Sequence, residues 1–150
     1  MDACIVIPAR YASTRYPAKP LATLKGANGV SRSLLERSVI AARQVGVSVF
    51  VATDDDRIKA EADRIGADTI MTDPACRNGT ERVAQAVERA GITAEVIVNL
   101  QGDAPLTPPH FVTALIEAMR GGMGVCTPVL RCDAEALANF MADRRAGRVG

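Results

Sequence analysis

The succession of apolar and polar runs in this chain predicts an α/β protein built on a doubly wound, mostly parallel sheet. Two observations carry that expectation. Short, wholly apolar runs of strand length alternate with stretches in which apolar residues recur at helical spacing. Each apolar run also opens directly onto a polar cluster, as strands of a parallel sheet do at their C-terminal ends. At 150 residues the chain is long enough for one domain (1–150) with a real core, and too short for two of typical size.

Ala3-Cys4-Ile5-Val6-Ile7 is continuous in the manner of a strand buried on both faces. The segment Pro8 to Pro20 that follows carries Arg10, Arg15 and Lys19, with the hydroxyls of Ser13 and Thr14 between them, and prolines stiffen it. Leu21 to Gly29 reads as a polar loop. A helix is predicted over Ser31–Gln44, stopped by Gly46, then a second strand over Val47–Ala52 that runs into Thr53-Asp54-Asp55-Asp56. The next helix covers Asp55–Ile65, and a short third strand is centred on Thr69–Met71. Asn78-Gly79-Thr80-Glu81 has the spacing of a capping box and opens a helix that Gly91 ends. Glu95–Leu100 is the fourth strand and delivers Gln101-Gly102-Asp103. A helix begins at Thr107-Pro108-Pro109, with Thr107 as cap, continues through about Ala118 and fades at Gly121-Gly122. Gly124–Leu130 reads as a fifth strand, with Pro128 marking an edge or a bulge, and Ala134–Arg145 as the last helix.

Composition narrows the function classes. Lys and Arg number 18 against 17 Asp and Glu, so no bulk field draws the chain to nucleic acid or an anionic membrane. Aromatics make up 3%, with no Trp, which speaks against platforms that stack bases of single strands. Cys4, Cys76, Cys126 and Cys132 form no CxxC pair, and His110 lies near none of them, so no zinc site is expected. No signal peptide precedes the first strand and no apolar run reaches bilayer length, so a cytoplasmic protein with reduced thiols is expected.

At the common C-terminal edge four polar clusters should meet: the basic loop, Thr53-Asp54, Asn78 to Arg82, and Gln101 to Asp103. Neither a GxxxxGK[ST] loop nor a GxGxxG turn is present, which removes two common nucleotide-binding readings. Arg10, Arg15 and Lys19 suit a polyanion, and a nucleoside triphosphate leads. Asp103 is a hard oxygen ligand suited to Mg²⁺ held jointly with phosphates. Gln101 can read a base with its amide, and Asn78-Gly79 offers a helix N-terminus and close backbone approach. Each position also has a plainer reading. Asp54 can be a helix cap, Glu81 only a capping partner, Arg82 a solvated helix residue and Asp103 a turn residue.

Several blocks match a known family in the right order: Ile7-Pro8-Ala9-Arg10-Tyr11-Ala12-Ser13-Thr14-Arg15, Pro17-Ala18-Lys19-Pro20-Leu21, Val51-Ala52-Thr53-Asp54, Gly79-Thr80-Glu81-Arg82 and Val98-Asn99-Leu100-Gln101-Gly102-Asp103. In these the chain resembles the 3-deoxy-manno-octulosonate (KDO) cytidylyltransferases. The resemblance implies a Rossmann-like sheet of the nucleotide-diphospho-sugar transferase type. It implies CTP and a KDO-like sugar acid as substrates, Mg²⁺ as cofactor, and a product that feeds lipopolysaccharide assembly. It places Arg10, Arg15 and Lys19 on the triphosphate, Asp103 on the metal, and Ala9, Ser13, Thr53, Asp54, Asn78, Gly79, Arg82 and Gln101 around the nucleotide.

Departures accompany the match. The family usually has Gly at Ala18, Ser at Asn78 and Glu at Ala104. Its members are longer and homodimeric, and the part without a counterpart here carries the sugar-binding residues, a second metal carboxylate and much of the dimer contact. Two further expectations stand beside the enzyme: a truncated, inactive CTP-binding module, and a related sialic-acid cytidylyltransferase, which the wording of the first loop disfavours.

Overall fold

A computed structural model describes residues 2–12, 16–129 and 131–147. In chain order the elements are β1 (Ala3–Pro8), a 3-10 turn (Lys19–Leu21), β2 (Thr23–Lys25), β3 (Ser31–Ser33), α1 (Leu34–Arg43), β4 (Ser48–Thr53), α2 (Asp56–Arg64), β5 (Asp68–Met71), α3 (Gly79–Ala90), β6 (Val96–Asn99), α4 (Pro109–Met119) and α5 (Ala134–Arg145). The sheet is parallel, in the order β5-β4-β1-β6, and β2 and β3 form a separate antiparallel hairpin.

β1 is the spine of the sheet. Its side chains alternate between faces, and both faces are covered, so it has no polar position. Ile5 and Ile7 pack with Leu35 and Val39 of α1, Ile58 and Ala62 of α2, and Val112 and Ile116 of α4. Cys4 and Val6 turn to the opposite layer, against Val83 and Ala86 of α3. Burial, aided by the nearby Asp2 carboxylate, pushes the Cys4 thiol above its ordinary pKa, so it serves as a small hydrophobe. Ile5, Ile7, Leu35 and Ile58 are fully buried, each worth roughly 1.5–3 kcal/mol of transfer free energy.

Handedness explains which helix takes which face. β1 to β4 and β4 to β5 step toward one edge, whereas β5 to β6 steps back past β4 and β1. Right-handed crossovers in opposite directions must use opposite faces, which sends α3 alone to the second layer. The direction therefore reverses between β1 and β6, and a crevice opens at their C-terminal ends.

The structure departs from the sequence reading at several points. The helix expected from Ser31 begins at Leu34, because Ser31–Ser33 pairs with Thr23–Lys25 and Ser33 caps the helix by accepting from Glu36 N at 3.0 Å. The polar loop over Leu21–Gly29 is thus half of a hairpin. Thr107 does not cap α4: Pro108 stands at that position, while the Thr107 hydroxyl donates to Ala104 O at 3.0 Å. No strand forms over 124–129, the described part of the expected fifth strand. Val125 and Val129 are each 85% exposed there, and an apolar run that finds no neighbour to bury against has nothing to hold it extended. The last helix forms where expected but contributes no buried residue; Leu137 and Phe140 stay exposed. None of the described helices is long and apolar enough to cross a membrane.

Candidate functional site

The crevice at the β1/β6 switch is a cleft of about 560 Å³. Pro8, Ala9 and Arg10 enter it from the end of β1, and Gln101, Gly102 and Asp103 from the end of β6. Tyr16, Lys19 and Pro20 close one side, and Cys76 to Gly79 with Arg82 close the other. Parallel pairing brings the first two groups together: Val6 lies beside Asn99, so the residues just beyond both strands continue side by side. They run so close that a Cβ on Gly102 would stand 3.2 Å from Pro8 O.

Lys19 and Asp103 face each other, with Nζ 2.8 Å from Oδ2. Both side chains are about half exposed (46% and 55%), so the pair contributes little to stability and is open to exchange of partners. The backbone that delivers Lys19 is under strain. Ala18 sits at φ 58°, ψ 20°, left-handed space that costs a residue with a Cβ roughly 1–2 kcal/mol. Its amide donates to Tyr11 O at 2.9 Å, tying the two ends of the loop together. Arg57 of α2 lies 3.2 Å from the centre of the Tyr11 ring, a cation–π contact that fixes the start of the loop.

On the far wall, Asn78 caps α3 by accepting from Glu81 N at 2.9 Å. Glu81 reaches back to Arg77 N at 2.7 Å, one residue earlier than the usual capping box, and pairs with the Arg77 side chain. That hydrogen bond to the Arg77 guanidinium holds the Glu81 carboxyl below its ordinary pKa. Gly79, the first helical residue, abuts both Pro8 and Gln101: a Cβ there would be 3.1 Å from Pro8 Cγ and 3.2 Å from Gln101 Oε1. The Gln101 amide donates from Nε2 to Asn99 Oδ1 at 2.8 Å.

Arg82 is not a solvated helix residue. It is 3% exposed, with Nη1 3.2 Å from Asp54 Oδ1 and donating to the Thr72 hydroxyl. This places Asp54 behind the cleft wall as the counter-charge of a buried guanidinium. Asp55, not Asp54, caps α2, accepting from Arg57 N at 2.9 Å. Thr53, expected beside the nucleotide, is fully buried beneath the wall, and its hydroxyl accepts from Asp55 N at 3.3 Å. Neither Thr53 nor Asp54 lines the cleft.

The structure thus gathers Ala9, Arg10, Lys19, Asn78, Gly79, Arg82, Gln101 and Asp103 around one space. Ser13 and Arg15 lie outside the described residues. The sequence reading missed Thr72, although it stands just past β5 on the same edge and the strand-end rule points to it as well. It also gave Cys76 and Tyr16 no part in the wall; nothing in their local sequence marks them. Beyond the Lys19–Asp103 pair a second groove of about 1140 Å³ opens, walled by Leu24, Pro105, Leu106, Phe111, Leu115 and other largely apolar residues. Among the described residues, no three of His, Cys, Asp and Glu cluster closely enough to bind a metal unaided.

Comparison with known proteins agrees with this fold. A family model described as Cytidylyltransferase matches residues 4–140. The 3-deoxy-manno-octulosonate cytidylyltransferase of Maricaulis maris (strain MCS10) is 43% identical over 98% of this chain and 56% of its own length. That of Anaeromyxobacter dehalogenans (strain 2CP-C) is 46% identical over 82% of this chain and 49% of its own. Among solved structures, CMP:2-keto-3-deoxy-manno-octonic acid synthetase complexed with CTP superposes with a TM-score of 0.68 at 36% identity, covering 81% of this chain and 48% of that one. The chain spans about half the length of these relatives. With both layers of the sheet, the switch-point cleft and the sequence match in accord, the chain belongs to the cytidylyltransferase family.

Proposed function

We propose that this chain is the nucleotide-binding part of an enzyme that transfers CMP from CTP to a KDO-like sugar acid and releases pyrophosphate. The observation that carries the reading is Lys19 and Asp103 meeting at 2.8 Å across a cleft at the sheet's switch point. Lys19, Arg10 and Arg15 bind triphosphate oxygens and offset the charge that builds as pyrophosphate leaves. Ala9, Ser13, Asn78, Gly79 and Gln101 surround the nucleoside. Arg82 stiffens the wall behind it, with Asp54 and Thr53 acting beneath that wall.

The donor set fits Mg²⁺: one exposed carboxylate beside a cationic loop supplies what that ion takes from protein when phosphates and water complete its shell. Asp103 would hold it, and the ion would supply charge neutralisation on the phosphates. The chain's own contribution is positioning, so that the sugar hydroxyl meets the α-phosphorus in line. The second groove is mostly apolar and offers a polyhydroxylated acid few partners, so the residues that choose the sugar belong to the remaining half of the relatives' length. Lipopolysaccharide assembly in the cytoplasm and a homodimeric enzyme complete the proposal.

The test is pyrophosphate release from CTP, Mg²⁺ and the sugar acid, using this chain and one extended to the relatives' length. Turnover by the longer chain is expected; silence from it, with the cleft intact, overturns the proposal. The second reading is a CTP-binding module without turnover. That reading predicts calorimetric CTP binding with no pyrophosphate from either chain.

A further inference from the structure

Ser38 is the one polar side chain among the buried residues of α1, which are otherwise Leu34, Leu35, Val39 and Ala42, and it is fully buried. Its hydroxyl lies 3.1 Å from Leu34 O and 2.8 Å from Gly102 O. The single hydroxyl hydrogen has a determined direction. Leu34 O already accepts the Ser38 amide in the helical ladder, whereas no other donor among the described residues reaches Gly102 O. Aimed at Leu34, the hydrogen would leave two oxygens facing each other at 2.8 Å with nothing between them. The hydroxyl therefore donates to Gly102 O. That carbonyl belongs to the Gly102–Asp103 peptide, the centre of a β-turn closed by Ala104 N donating to Gln101 O at 3.1 Å. Neither Gly102 nor Asp103 has a positive φ, which fits a type I turn and excludes types II and II′.

We propose that Ser38 is a positioning residue: its hydroxyl locks the Gly102–Asp103 peptide in one orientation and so keeps the Asp103 carboxylate facing Lys19 across the cleft. Without the lock, that peptide can turn over into a type II turn, with Asp103 at φ about +80°. Gly102 sets no barrier to this, and aspartate enters left-handed space more readily than most residues. The turn's closing bond from Ala104 N to Gln101 O exists in both types, so it does not choose between them. Only the direction of the central carbonyl does, and Ser38 holds that carbonyl where water does not compete. In the flipped turn the Cα–Cβ bond of Asp103 swings away, and the 2.8 Å contact with Lys19 is lost. The consequence for a magnesium-bound nucleotide rests on the function proposed above; the lock itself does not.

The experiment is amide NMR of the 150-residue chain without nucleotide, read as a second resonance or relaxation dispersion at the Asp103 amide, which lies in the peptide that turns over. The wild-type chain should show one quiet Asp103 signal. Ser38→Ala should show exchange there while the Ala104 amide stays protected. Ile58→Val, which removes a methyl from the same core at comparable cost in stability, should resemble the wild type. Ser38→Cys, a weak donor, should lie between, and serves should Ser38→Ala fail to fold. An Asp103 amide that behaves alike in the wild-type chain and in folded Ser38→Ala, or in Ser38→Cys where that replaces it, overturns the lock. Calorimetry then reads the consequence: Ser38→Ala should bind CTP with Mg²⁺ about fivefold more weakly, and CTP with a chelator within about twofold of wild type. Equal affinities for both variants in Mg²⁺ overturn the link from Ser38 to the metal site. Binding of neither form of CTP by the wild-type chain overturns the nucleotide reading, and the Asp103 amide still decides the lock.

Discussion

Deleting the Asp54 carboxylate is the sharpest available probe of the cleft wall. Arg82 is 3% exposed and its guanidinium meets two partners across the sheet edge, Asp54 beyond β4 and Thr72 beyond β5. In Asp54→Ala the guanidinium keeps only a hydroxyl. Breaking a buried ion pair by removing one partner costs roughly 3–5 kcal/mol, because the remaining charge is stranded away from water. The Asp54 side chain is itself 16% exposed, so water can reach part of the gap and the lower end, about 3 kcal/mol, applies.

Against a total stability of about 5–15 kcal/mol, that is a large loss, and at about 2–4 °C per kcal/mol it lowers Tm by about 6–12 °C. Replacing both charges, Asp54→Leu with Arg82→Met, removes the stranded ion and should recover most of the loss. Urea and thermal unfolding followed by circular dichroism measure both variants. A loss under about 1 kcal/mol in Asp54→Ala, or a double variant no better than the single, would refute the reasoning.

Three other outcomes follow from local geometry. Gly79→Ala should leave the melting temperature nearly unchanged yet weaken CTP binding about tenfold or more by calorimetry, because the new methyl presses on Pro8 Cγ at 3.1 Å and displaces the Gln101 amide at 3.2 Å. Ala18→Gly should stabilise the chain by up to about 1 kcal/mol in urea titration, the relief of a left-handed Cβ outweighing the greater freedom of glycine in the unfolded chain. Acid should destabilise the fold partly through Asp55. A hydrogen bond from the Arg57 side chain holds its carboxyl below the ordinary value of 3.8, so its stabilising effect is complete above that value and is lost as pH falls through the lower folded value. Asp55→Asn keeps the cap but cannot titrate, and stability measured across acid pH should decline less steeply.

The fold was legible where an element buries something. Ile5 to Ile7 and Leu34 to Ala42 announce themselves because their periodicity is the imprint of the layers they pack against. It was illegible where pairing alone makes the element. Ser31–Ser33 carries no apolar alternation, and only the Asn28-Gly29 turn beside it hinted at a hairpin. Val125 to Val129 misled in the opposite sense, with a strand's composition and no neighbour.

The site shows the same division. Strand ends locate its polar clusters, but only the packing reveals that Arg82 faces inward onto Asp54 and that Thr53 lies under the wall. Burial of a charge is decided by what stands opposite it, and that partner lay 28 residues away for Arg82, past an intervening helix and strand.

The two ion pairs of the cleft differ in a way that suits their places. Arg82 is buried against a mostly covered Asp54, so exchanging partners there would strand a charge, and the wall they make is rigid. Lys19 and Asp103 are half in water, and separating them costs little. A magnesium-bound triphosphate offers each a stronger partner than the other, phosphate oxygen for the ammonium and a divalent cation for the carboxylate. The nucleotide would then arrive at charges already placed but weakly committed, against a wall that does not yield. On the proposed reading, binding energy would go into alignment of the α-phosphorus instead of into opening the site.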